Sequence, residues 1–471
     1  MHTIISKIKN SSIVTKTSLA YVLCVFLQNG IQVLTWPFFT RMLTLEQYGQ
    51  YTIYVSWVDI ITVFLTLNLP VGLFPKAMEL FTEKRAAYIS TCQTISLMLT
   101  GVFMTVMVLL RNRIGTVFGL PTVFLIVMVI NIETYLPIQL TESRWRFLNQ
   151  YKKAVLLTSL YSVSSPIVAL VLIRCSSEKG LAMIIGMILV PSLIGFVYGI
   201  RNYITSKSFI NKELFAFAAK SHIPLVAYFL SQTALNQSDR IMISRYCGNE
   251  KAAVYGVANS LAMLMTLVAN ALNNSYIPLL YEDIHQPDRR RIHFYAVRNA
   301  LILAVLVLCV ILMAPEIILV MGGRAYYEAR WIVPPVACSV LLLFYAQLFI
   351  NIQLYFEAKK PLVIISCAAT LLNIVLNAIA LPVFGYYAAG VTTWISYLLY
   401  VVLNYIAYKK IIKKNEESSY YTGRQLLVLY FLFLVFTIAG VVVYNYFIIR
   451  VMMLVLLLGL SVVFQKRWIH S

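Results

Sequence analysis

The chain has 471 residues, 60% of them hydrophobic and only 12% charged, whereas soluble domains run at about 45–50% apolar and about 25% charged. A mean hydropathy of +0.80 over the whole length excludes a soluble domain with a single anchor and points to a polytopic membrane protein. A net charge of +20 would suit a nucleic-acid binder, but 38 basic residues among long apolar runs read more naturally as the cytoplasmic flanks of membrane helices.

A helix that crosses the hydrocarbon needs about 20 mostly apolar residues. Fourteen segments qualify: 17–38, 50–72, 88–110, 117–140, 154–173, 180–199, 216–240, 252–277, 297–320, 331–353, 362–381, 387–408, 425–446 and 448–464. Ahead of them, residues 1–16 are polar, with a short amphipathic stretch suited to the membrane surface; no cleavable signal peptide is expected. The last two segments form a tight hairpin broken at Arg450, so twelve spans plus an interfacial segment is the alternative count. With the N-terminus inside, 27 of the 38 Lys and Arg residues fall on inner segments and 11 on outer ones. That bias predicts an even number of spans and two cytoplasmic termini.

The connections are short, with none longer than about 20 residues, so no extramembrane domain is expected. The sequence has no GxxxxGK[ST] and no Gly-Lys dipeptide, which removes the P-loop reading. Five scattered histidines form no HExxH, and seven cysteines (24, 92, 175, 247, 309, 338, 367) form no CxxC and read as packing residues. Glu282-Asp283 beside Arg289, Arg290 and Arg291 reads as a solvated charge cluster rather than a metal site. A secondary transporter without cofactor, nucleotide or nucleic acid is the expected class.

Such proteins are often built from duplicated bundles. At a constant offset of 204, Lys16/Lys220, Val22/Val226, Gln28/Gln232, Arg41/Arg245, Glu46/Glu250, Tyr51/Tyr255, Ser56/Ser260 and Thr62/Thr266 recur. The offset spans six helices and preserves orientation. It predicts two six-helix lobes, residues 1–212 and 213–414, related by a pseudo-twofold axis along the membrane normal, with residues 415–471 as an added helical hairpin and tail.

Polar residues form stripes within the spans. Gln28 and Gln32 are four apart, as are Gln232, Asn236 and Arg240. Asn259, Asn270 and Asn273 share segment 252–277; Gln347 and Asn351 follow in 331–353, and Asn373 and Asn377 in 362–381. Hydrogen bonds between packed helices would account for single residues; the set as a whole predicts a hydrated passage lined by neutral groups, suited to hydroxyl-rich cargo. Asp59 and Glu133 lie in apolar surroundings and are candidates for a proton or cation site or for structural ion pairs. Asp239-Arg240 and Arg245, like Arg41, fall near outer helix ends, where they would staple the lobes or meet an anionic head group.

Two stretches carry a family resemblance. FFTRMLTLEQYGQYTIYVSWVDIITVFLTLNLP (38–70) and NQSDRIMISRYCGNEKAAVYGVANSLAML (236–264) resemble the first-to-second-helix turn and the seventh-helix signature of Wzx-type polysaccharide exporters, members of the multidrug/oligosaccharidyl-lipid/polysaccharide (MOP) superfamily. The resemblance implies an all-α, MATE-like, alternating-access fold of twelve to fourteen helices in a bacterial inner membrane. It implies a flippase carrying undecaprenyl-diphosphate-linked oligosaccharide to the outer leaflet for O-antigen, capsule or exopolysaccharide assembly. Membrane lipids, a proton or sodium ion, a polysaccharide polymerase and a chain-length regulator are the partners it implies. Related flippases hold the diphosphate with arginines in helix one; this helix has none inside, so Lys16, Lys76 and Lys220, at inner span ends, are the substitutes. Asp59, Glu133 and Asp239 are the ion-coupling candidates. A cation-coupled multidrug antiporter of the same superfamily and a membrane-embedded O-antigen polymerase remain the competing readings, although the short outer loops fit the polymerase poorly.

Overall fold

The computed structural model describes Cys24, Gln28, Gly30, Ile31, residues 33–286 and residues 288–469. Among them every regular element is helical. From residue 45 the order is α1 (Leu45–Thr66), α2 (Phe74–Leu80), α3 (Arg85–Leu109), α4 (Arg111–Phe118), α5 (Thr122–Phe147), α6 (Tyr151–Cys175), α7 (Lys179–Ser206) and α8 (Lys212–Cys247). It continues with α9 (Asn249–Asp283), α10 (Arg290–Leu312), α11 (Ala314–Met321), a 3-10 helix (Arg324–Trp331), α12 (Val333–Tyr355), α13 (Lys359–Phe384), α14 (Ala388–Lys414), α15 (Gly423–Val442) and α16 (Phe447–Ile469).

Eleven of these, α3, α5–α10 and α12–α15, are long and apolar enough to cross a membrane, and each overlies one expected span. The other three expected spans differ. Segment 17–38 falls largely outside the described residues. Segment 50–72 appears as α1, whose Glu46, Gln47, Gln50 and Asp59 dilute its apolar character. Segment 448–464 is α16, whose apolar stretch Phe447–Gly459 is shorter.

The chain forms two compact units, residues 1–237 and 238–471, and the division falls inside α8. In the first unit Thr44 caps α1: its hydroxyl accepts from the Gln47 amide while the Gln47 side chain accepts from the Thr44 amide, both at 3.2 Å. Helix α7 packs against α5 and α6 at backbone distance. A Cβ on Gly195 would stand 1.6 Å from the Thr134 carbonyl oxygen, and one on Gly186 2.3 Å from the Ala169 Cα. Small residues that let backbones meet are the usual device where lipid supplies no hydrophobic drive for association. Pro137, Pro166 and Pro191 sit inside α5, α6 and α7, as membrane helices tolerate.

The core of the second unit is α12, with 78% of its apolar stretch buried; it packs against α9, α10 and α14. The terminal helices dock by polar contacts to backbone. Tyr444 donates to the Ile311 carbonyl at 2.9 Å, and Arg450 donates to the Leu312 carbonyl at 2.7 Å. Both guanidinium nitrogens of Arg450 also grip Glu316, each at 2.6 Å. The turn between the last two helices falls at residues 443–446 rather than at Arg450, which lies inside α16 and anchors it. Large apolar side chains such as Leu156, Val383, Leu427 and Phe431 are exposed on outer faces, the pattern of helices that meet lipid.

Candidate functional site

In the first unit, polar spacing along α1 becomes contact with α8. The Ser56 hydroxyl donates to Gln237 Oε1 at 3.1 Å, and Gln237 Nε2 donates to Asp59 Oδ2 at 2.6 Å. Asp59 is half-buried. Glu133 in α5 is held by α3: Ser96 donates to its Oε1 at 2.7 Å, and Thr100 donates to the same oxygen. Glu133 thus has neutral hydroxyl partners, an arrangement open to a proton or a small cation. Gln28 bonds Tyr161; Gln32 and Lys16 lie outside the described residues. Gln232 is half-buried, and Asn236 is exposed, its amide donating to the Gln232 carbonyl at 2.8 Å.

The second unit holds the densest polar cluster. Asp239 is buried, 3% exposed, and accepts three hydrogen bonds: from Asn377 Nδ2 (2.6 Å), the Tyr255 hydroxyl (2.5 Å) and the Thr393 hydroxyl (2.5 Å). Around it, Thr392 donates to Asn377 Oδ1 at 2.5 Å, and Ser238 and Asn377 donate to Asn373 Oδ1 at 3.0 and 3.3 Å. The Asp239 carboxylate therefore sits among amide and hydroxyl groups drawn from α8, α9, α13 and α14, a set that suits a proton or a monovalent cation. Among the described residues no group of three or more His, Cys, Asp and Glu converges on a metal-sized site. Arg240, also buried, meets Met263 Sδ at 3.7 Å, so this Asp-Arg pair is enclosed by the helices of its unit.

A second polar ladder joins α9 to α12. Gln347 Nε2 donates to Asn270 Oδ1 at 2.7 Å, and Asn351 Nδ2 donates to Asn273 Oδ1 at 2.8 Å. Asn273 and Asn351 are buried, while Asn270 is exposed and Gln347 half-buried, so the ladder runs from the packed interior to an open face. Asn259 is half-buried on the same helix. Lys76, Lys220, Arg41 and Arg245 are exposed.

Sequence reasoning missed one carboxylate. Glu142 is 3% exposed and accepts from Thr158 at 2.7 Å and Tyr161 at 3.3 Å, with Arg146 at 3.5 Å. No role was assigned to it from the sequence. The only available signal was Thr158 and Tyr161, three apart on the next helix. Tyr255, Thr392 and Thr393 were likewise legible only as spaced hydroxyls.

The model of a family described as "Polysaccharide biosynthesis protein" matches residues 14–284, and a MatE model matches residues 224–379. No curated protein matches the chain. Solved structures share its fold. A lipid II flippase MurJ in an inward closed conformation is 15% identical, with 97% of this chain and 100% of that one covered at a TM-score of 0.72. A multidrug-resistance MATE transporter of the MOP superfamily, inward-facing, is 13% identical over 84% and 96% at a TM-score of 0.60. A MATE transporter from Vibrio cholerae is 11% identical over 85% and 97% at a TM-score of 0.51.

Proposed function

The chain belongs to the polysaccharide biosynthesis protein family, and from that membership and its MOP-type fold we propose that it flips an undecaprenyl-diphosphate-linked oligosaccharide from the cytoplasmic to the outer leaflet. The observation that carries this reading is the neutral ladder Asn270–Gln347 and Asn273–Asn351. Amides that reach an open face offer paired donors and acceptors to sugar hydroxyls without a fixed charge. The neighbouring MurJ is by name a lipid II flippase, which supports a lipid-linked cargo whose polyprenyl tail stays in the bilayer. In this reading the exported unit passes to a polymerase and a chain-length regulator for O-antigen, capsule or exopolysaccharide assembly.

The mechanism is alternating access of two six-helix lobes, residues 1–212 and 213–414, with 415–471 as an addition, in a bacterial inner membrane with both termini cytoplasmic. Asp239 is the coupling site: its carboxylate takes a proton or sodium ion from one side and releases it on the other, the surrounding oxygens completing the ion's shell. Asp59 and Glu133 are secondary sites of the same kind. The diphosphate is met by Lys76, Lys220 and Lys16 at inner span ends. A multidrug antiporter fits less well, since an amide-lined face gives a lipophilic cation little to pair with.

The test is reconstitution in proteoliposomes with a fluorescent polyprenyl-diphosphate oligosaccharide, reading the fraction that becomes accessible to an external quencher. Protein-dependent acceleration, with complete lipid-linked units accumulating on the cytoplasmic face of deletion cells, is expected. Units that reach the outer face of deletion cells but stay unpolymerised would show a polymerase instead.

A further inference from the structure

Away from these clusters, the first unit has a cavity of about 450 Å³ where one end each of α5, α6 and α7 meet. Its lining includes Arg144, Lys153 and Arg201 and not one carboxylate. Among the described residues none of these three cations pairs with an acid: Lys153 donates to Gln150 Oε1 at 3.1 Å, and Arg201 lies 6.0 Å from the Tyr198 ring centroid. Three like charges around one hollow repel unless an anion joins them. Asn202, also in the lining, has a buried Nδ2 with no acceptor. A buried donor left unmade is costly, and such a group calls for an explanation.

The rest of the wall fits a lipid. Leu156 and Leu160, 73% and 55% exposed, continue the lining along the outer face of α6. Trp145 and Tyr198 meet edge to face at 5.8 Å in the same wall, the amphipathic rings found at head-group depth. We propose that this cavity binds the phosphate head group of an anionic glycerophospholipid, with its acyl chain lying along Leu156 and Leu160. The volume matches a small-ligand site of about 300–1,000 Å³ and suits a phosphoglycerol better than an oligosaccharide of several rings. The proposal goes beyond the translocation reading and does not depend on the identity of the cargo.

The experiment uses the full chain and native mass spectrometry, titrating phosphatidylglycerol against phosphatidylcholine. Arg144→Gln, Lys153→Gln and Arg201→Gln each lower phosphatidylglycerol retention about five-fold, as expected for one basic residue at an anionic lipid. Lys153→Arg retains it, and Lys413→Gln on another helix end leaves it unchanged. Asn202→Leu, which alters no charge, lowers retention about three-fold; an effect of net charge alone would leave it intact. Size-exclusion profiles and circular dichroism identify any variant that fails to fold, and the remaining variants then decide. Unaltered retention in the folded cation variants overturns the proposal. So does displacement of phosphatidylglycerol by an equal concentration of polyprenyl diphosphate, which would assign the cavity to the cargo, or by millimolar inorganic phosphate, which would assign it to a free anion.

Discussion

Asp239 is the carboxylate at the centre of a cluster of seven polar groups, and its three donors come from positions 16, 138 and 154 residues away. Spacing along one helix marked it as an ionisable residue within an apolar segment, yet its neighbour Arg240 invited a reading as an outer-end pair. Only the packing of α9, α13 and α14 around α8 makes it an acceptor for Tyr255, Asn377 and Thr393. Asp239→Asn keeps the shape and removes the charge, so the variant is expected to fold while flipping in proteoliposomes loses its response to an imposed proton or sodium gradient. A gradient response equal to that of the natural chain would exclude Asp239 as the coupling group. Asp239→Leu leaves three donors without an acceptor, at about 1–3 kcal/mol each, and should lower the thermal midpoint in detergent. Glu142 shows the converse difficulty: a carboxylate one turn from a basic helix end looks solvated until Thr158 and Tyr161 close over it.

At the scale of elements, helices were legible because lipid demands that backbone groups be satisfied within each segment, so length and apolarity alone nearly define a span. Docking was less legible. Arg450 looked like an interruption of the terminal hairpin; it is instead the bidentate partner of Glu316. The pair is lopsided, with Arg450 3% and Glu316 32% exposed. Glu316→Ala strands a buried guanidinium and is expected to cost about 3 kcal/mol. Arg450→Ala leaves a carboxylate that water reaches, at about 1–2 kcal/mol. Thermal unfolding of the two variants should show that order; equal losses would mean the contact is not an anchor. The Arg450 hydrogen bonds hold the Glu316 carboxyl below the usual carboxylate range. Its contribution is therefore complete above the ordinary glutamate value and is lost as pH falls through the lowered one. The natural chain should lose this increment on acidification, and Glu316→Gln should lack it at every pH.

At the scale of the whole molecule, the +20 charge has a distribution along the chain that predicts both termini on the cytoplasmic side. A fluorescent protein fused after Ser471 should therefore fluoresce in cells, and a phosphatase fused in the loop after Arg174 should be active; a dark C-terminal fusion would refute an even span count. Membrane class, the positions of eleven spans and the residue types of the polar stripes followed from the sequence alone, because the bilayer imposes one rule on every segment regardless of its neighbours. The residue pairs that make a site did not. Asn270 with Gln347, Asp239 with Thr393, and Arg144 with Lys153 and Arg201 are brought together by helix packing, which depends on backbone contacts such as those at Gly186 and Gly195. One-dimensional periodicity names the face of a helix. Which other helix meets that face is decided in three dimensions, and there a flank of basic residues becomes a cavity with three cations and an unmet donor.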